Sequence, residues 1–220
     1  MKDLILGFKL LKYGYKLKTN IMMLALFTLI GLVVEISSQG TNMLGGFYFM
    51  LTGMFTYQLI VVTNVSDYVQ TSAMKRKLET GLPAFVSTVV YMLLMTVLVV
   101  EKYILVRMYP DKADQYLDVF FMIICILFAA MLFCGVCYKY FFASFIVFMV
   151  FVMFGIAEFN AWLASHHISD VVNVDIAWLA VFGYVAVILG GVCEYVLSCL
   201  FYKKPLSDVA INGIAKGMKK

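Results

Sequence analysis

The sequence is short of charge. Of its 220 residues only 14% are Asp, Glu, Lys or Arg, while 64% are hydrophobic. A soluble domain averages about 25% charged and 45–50% apolar residues, so this chain holds too few charges to solvate a globule and its solvent is expected to be lipid. No polar or low-complexity stretch leaves room for a separate soluble domain, and no period of about 20–50 residues repeats, so the chain reads as a single transmembrane domain over 1–220. Cysteines are missing from the aqueous segments: Cys125, Cys134, Cys137, Cys193 and Cys199 all fall within apolar runs, which argues against a disulfide framework. The net charge of +4 does not point to nucleic acid, because the basic residues flank apolar runs and no span-free basic region exists.

Catalytic signatures are missing as well. No G-x-x-x-x-G-K-[ST] occurs, so the chain lacks the glycine-rich cradle and lysine that hold nucleotide phosphates and does not hydrolyse ATP by that route. Without H-E-x-x-H or G-x-S-x-G, an intramembrane protease or hydrolase is not expected, and the chain is read as no enzyme, with no cofactor or metal of its own. Cys134 and Cys137 form a C-x-x-C, but it ends an apolar run with no second ligand pair after it, which makes them packing residues. His166 and His167 lie near Asp170 and Asp175 in a short loop; neighbouring positions point apart, and a solvated pair is expected rather than a metal site.

What the chain does contain is apolar length. Six runs, at about 20–37, 44–64, 84–106, 118–138, 141–163 and 176–202, each approach or exceed the roughly 20 residues needed to cross about 30 Å of hydrocarbon at 1.5 Å per residue. The first ends in a glutamate without a small-residue cleavage site and is expected to be retained. Ahead of it, over residues 2–18, Lys9, Lys12 and Lys16 recur at helical spacing beside a face of Leu4, Phe8, Leu11 and Tyr15. That pattern predicts an amphipathic helix lying in the membrane interface, its lysines at the lipid phosphates. With the amino terminus inside, fourteen of the seventeen basic residues fall on the cytoplasmic side, leaving Lys102, Arg107 and Lys112 outside. The positive-inside rule then places both termini in the cytoplasm, as an even number of spans requires. The expected fold is an all-α integral membrane protein of six transmembrane helices with a preceding interfacial helix.

Within the spans the glutamates stand out, because a charge at membrane depth costs roughly 2.5–3.5 kcal/mol on insertion scales. Glu35, Glu101 and Glu158 fall toward the outer ends of their spans and Glu194 in the inner part of the sixth. The outer three either reach the interface, pair with Lys102 and Arg107, or line a substrate path; Phe154, Glu158, Asn160 and Glu35 are the candidates for the path. The 19 Phe, 14 Tyr and 15 Met could line a greasy route for an amphipathic substrate, but such residues ordinarily serve span packing and interfacial belts.

The longest connection between spans runs over 65–83. Its polar middle, with Met74, Lys75, Arg76, Lys77, Leu78 and Glu79, predicts a short surface helix over 66–79, after which Gly81 and Pro83 break the chain before it re-enters the membrane. The basic triplet either docks a partner or anchors the loop to anionic lipid. An initial amphipathic helix, six spans with both ends inside, and a basic first cytoplasmic loop closing in K-R-K-L-E-T-G-L-P resemble the membrane subunit of type-2 ATP-binding cassette exporters. In that family a threonine or leucine followed by proline commonly leads from the coupling helix into the third span, and Thr80, Leu82 and Pro83 match that pattern.

The resemblance implies a permease half that pairs with a second permease subunit, the same chain or a homologue, and with an ATPase subunit carrying ATP and magnesium on a separate chain. Residues 66–79 would be the coupling helix and residues 2–18 the elbow helix. Its cargo would be a peptide, lipid or other amphipathic compound. The family's larger outer segment between the fifth and sixth spans is brief here, over 164–175, so Phe154, Glu158 and Asn160 would close the path themselves. The alternative is a stand-alone six-span solute-binding or transport module, such as the substrate-capturing subunit of a vitamin importer, which would need a polar midplane pocket.

Overall fold

The computed structural model describes residues 17–65, 67–163 and 175–205, with the isolated positions Lys9, Asp208 and Asn212. Of the interfacial helix expected over 2–18, only Lys9, Leu17 and Lys18 fall among them, and the His166–His167 pair lies outside. No strand occurs among the described residues. The helices are α1 (Leu17–Ser37), α2 (Met43–Val62), the four-residue α3 (Asp67–Gln70), α4 (Leu82–Met108), α5 (Ala113–Cys137), α6 (Phe141–Val150), α7 (Ile156–Leu163) and α8 (Ile176–Leu200). A π-helical turn over Phe151–Gly155 joins α6 to α7, making one continuous fifth span. Six helices are thus long and apolar enough to cross a membrane.

Local chemistry sets the span ends. After α1, Gln39 and Gly40 both adopt left-handed backbone, with φ of 52° and 71°, which turns the chain while the Gly40 amide donates to the Glu35 carbonyl at 3.1 Å. Asn42 then caps α2, its side chain accepting from the Leu44 amide at 2.9 Å, and Asp175 caps α8 through the Trp178 amide at 2.9 Å. At the end of α4, Tyr109 precedes Pro110, a position unsuited to helix.

Four spans make the core. Met50 of α2, Tyr91 and Met95 of α4, Phe120, Ile123 and Met131 of α5, and Val187 of α8 are buried together. Glycines set the spacing: a methyl group at Gly183 would collide with Met95, and one at Gly190 would press on Met131. Small residues allow such close approach where lipid supplies no hydrophobic drive between helices. The first and fifth spans are peripheral. α1 packs on α2 through stacked Phe27 and Phe55, with centroids 5.0 Å apart, and through Thr28 and Thr52, whose hydroxyls are 3.0 Å apart. The fifth span rests on α5 through the pairs Phe133–Phe148 and Phe121–Phe159. Val33, Ile36, Phe142, Val147 and Met153 on these two spans are exposed; facing hydrocarbon, such surface needs no cover.

The connection between the second and third spans differs from its sequence-based expectation. In place of one helix over 66–79, α3 ends at Gln70, residues 71–74 turn, and a new helix begins at Lys75. That helix does not break at Gly81 or Pro83 but runs through a π-helical turn, Lys77–Gly81, into α4. The wide turn is the reason: the Leu82 amide donates to the Lys77 carbonyl, five residues back. The helix is thus opened just ahead of a proline that has no N–H and whose ring crowds a regular α turn.

Candidate functional site

Two polar clusters occupy the two ends of the bundle. At the end that carries the Ser38–Asn42 turn, Lys102 of α4 is fully buried. Its ammonium donates to Glu35 Oε1 of α1 at 2.5 Å, to the Gly40 carbonyl at 2.9 Å and to Glu101 Oε1 at 3.5 Å. The left-handed pair at Gln39 and Gly40 aims that carbonyl inward, and a Cβ at Gly40 would lie 3.0 Å from the ammonium. Gly45 of α2 leaves the space that the Glu35 carboxyl occupies. A buried ammonium with three acceptors is compensated, and removing the lysine would strand carboxylate charge in the core. Arg107, the other cation considered for these glutamates, instead lies over the Tyr103 ring at 4.5 Å.

At the opposite end stands the 63–81 connection. Gln70 ties it together, its amide donating to the Asn64 carbonyl at 2.5 Å and to Glu79 Oε1 at 2.7 Å. Thr80 Oγ1 donates to the Arg76 carbonyl at 2.7 Å, and the Met74 amide donates to Ser72 Oγ at 3.1 Å. Leu78 is buried among Ile60, Val69, Leu82 and Val86, so the segment is nailed to the bundle on one side. On the other side Met74, Arg76 and Lys77 are exposed, with Lys75 half-buried and 4.0 Å from Glu79. The six residues picked from sequence as the coupling surface therefore divide: Met74, Arg76 and Lys77 point outward, Leu78 inward, and Lys75 and Glu79 lie between. Lys139, on the neighbouring turn after α5, is held below the usual lysine range by burial, with Glu79 opposing that shift and Lys75 adding to it.

The residues considered for a substrate path do not converge. Glu35 is turned to Lys102, whereas Phe154 and Glu158 are exposed on the fifth span, and the Asn160 side chain lies outside what is described. A groove of about 220 Å³ does open beside that span, but its lining is the adjacent face, with Phe151, Gly155 and Phe159 set against Met122, Cys125 and Ile126 of α5. Cys134 is buried and Cys137 donates to its carbonyl at 3.5 Å; both are free thiols one helical turn apart. Among the described residues no group of His, Cys, Asp and Glu is placed to hold a metal.

Sequence singled out Glu194 at membrane depth but missed the partner it meets. Glu194 of α8 is fully buried, and Ser87 Oγ of α4 donates to its Oε2 at 3.0 Å. A single serine in a long apolar span is an ordinary packing residue by sequence, and only the crossing of α4 with α8 gives it a partner.

Six apolar helices of membrane-crossing length, packed with ionic groups sequestered at their interfaces, define a multi-pass helical membrane protein. No protein-family model, curated protein or solved structure matches the chain.

Proposed function

We propose that this chain is the permease half of an ATP-driven ATP-binding cassette exporter, seated in the cell membrane with both termini in the cytoplasm and moving a peptide, lipid or other amphipathic compound outward. One observation carries the reading. The exposed surface at Arg76 and Lys77, with Met74 on the turn just before them, is continuous with the third span, because the helix beginning at Lys75 runs without a break to Met108. A push on that surface by a cytoplasmic ATPase subunit has no flexible joint in which to dissipate and reaches the core of the bundle directly. Leu78 and Thr80, buried at its base, keep the surface from sliding independently. ATP and magnesium belong to the partner ATPase, and a second permease subunit, the same chain or a homologue, completes the pathway.

The test is co-purification. Expressed with its genomic neighbours and solubilised in mild detergent, the tagged chain is expected to retain a P-loop ATPase in equal number with the membrane subunits. Alanine at Lys75, Arg76 and Lys77 together should release that ATPase while leaving membrane insertion intact. A chain that purifies alone, under conditions in which a known exporter keeps its ATPase, would sink the reading.

A further inference from the structure

We propose that Glu194 is a proton-binding site, reached from the end of the bundle that carries the 63–81 connection through a hydrated cavity bounded by Tyr57, Asn64, Tyr138 and Ser198. The inference does not rest on the exporter reading. Glu194 is fully buried, Ser87 satisfies one carboxyl oxygen, and Oε1 has no hydrogen-bond partner among the described residues. No lysine or arginine among those residues forms an ion pair with it. An ionised carboxylate so placed would be an uncompensated charge at membrane depth, so the group is stable there when it holds a proton. A calcium or magnesium ion wants about six oxygens, far more than this site offers, and no group of His, Cys, Asp and Glu among the described residues is placed to hold another metal, whereas a proton needs one oxygen.

The route is visible in the side chains. Ser198 lies one helical turn beyond Glu194 on α8, and Tyr57 of α2 packs with Cys134 and Cys137 of α5, the helix whose Gly135 sits against the Glu194 backbone. Tyr57 and Ser198 also line a cavity of about 20 Å³ with Asn64, Glu79, Tyr138 and Lys139, enough for a single water molecule. Asn64 is 2% exposed, and its side-chain NH₂ and the Tyr138 hydroxyl have no partners among the described residues. Two orphan polar groups facing one water-sized space are the arrangement that binds water. At the rim, Glu79 and Lys139 are partly exposed. A proton entering there bonds to the water oxygen as the water gives one up to the Tyr57 or Ser198 hydroxyl, which has to swing toward Glu194 to hand one to Oε1, since no donor among the described residues bonds that oxygen at rest; the water and the hydroxyl each gain one proton and lose one, and the carboxyl keeps the last. The other titratable groups facing Glu194 are Tyr91 of α4 and Cys134 and Cys137 of α5; none is a cation that could replace the proton.

Infrared spectroscopy of the purified full chain in lipid nanodiscs, transferred from H₂O to D₂O buffer, tests this. The expected result is a protonated-carboxyl band that disappears in Glu194→Gln, moves to higher frequency in Ser87→Ala as its hydrogen bond is lost, and shifts promptly in D₂O. Tyr57→Phe combined with Ser198→Ala, which removes both relay hydroxyls, should slow that isotope shift on the order of a hundredfold. If Glu194→Gln does not fold, the Ser87→Ala frequency change alone assigns the band. Absence of any such band, or exchange equally fast in the Tyr57→Phe and Ser198→Ala double variant, overturns the proposal.

Discussion

Two buried carboxyls, Glu35 and Glu194, show what a membrane interior does with the same functional group under different neighbours. Glu35 meets a fully buried ammonium and, through it, a backbone carbonyl and a second glutamate. Glu194 meets one serine hydroxyl. The first arrangement is a clamp: α1, the turn after it and α4 are held by one lysine, and deleting that lysine leaves charge behind. The second has little cohesive content, because a neutral hydrogen bond contributes only about 1 kcal/mol net. Cohesion and availability are thus separated to the two ends of the bundle.

Breaking the clamp should produce the largest effect. Lys102→Met leaves Glu35 and Glu101 without their cation and is expected to destabilise the fold by about 3–5 kcal/mol, measured as unfolding free energy in mixed detergent micelles; pairing it with Glu35→Leu should restore most of the loss. Glu35→Gln, which keeps the shape but weakens a charged hydrogen bond, should cost about 1.5–3 kcal/mol. The matching change at the other end, Glu194→Gln, should cost less than about 1 kcal/mol, since glutamine still accepts from Ser87. Equal losses for the two glutamine variants would erase the contrast. Smallest is Gly81→Ala, expected to stabilise by about 0.5–1 kcal/mol. The added methyl meets only Tyr195, at 3.7 Å, and the residue is helical; a marked loss would mean that the chain bends there after all.

The spans were legible because hydropathy and length suffice to mark them. The run read as 176–202 is Ile176–Leu200, and that read as 84–106 is Leu82–Met108. Pairing of the outer glutamates with Lys102 was one of the options that sequence left open, and it holds for Glu35 and Glu101. The connection into the third span was misread because glycine and proline punctuate most helices. Here a π-helical turn absorbs both, and nothing in residue type announces the extra residue in that turn. The Ser87–Glu194 contact joins residues 107 positions apart, a separation that composition and local spacing cannot reach.

The uninterrupted helix has a dimensional consequence. From Lys77 to Met108 it counts 32 residues, about 48 Å of rod at 1.5 Å per residue against about 30 Å of hydrocarbon. Tilting enough to submerge the excess would drag Lys77 and Arg107 into the oil, so the surplus of roughly 18 Å has to stand clear of it. Divided between the two faces, that surplus works as a spacer. It sets the clearance between the hydrocarbon and any protein resting on the basic tip, and shortening the rod by one turn would bring such a protein about 5 Å closer to the hydrocarbon.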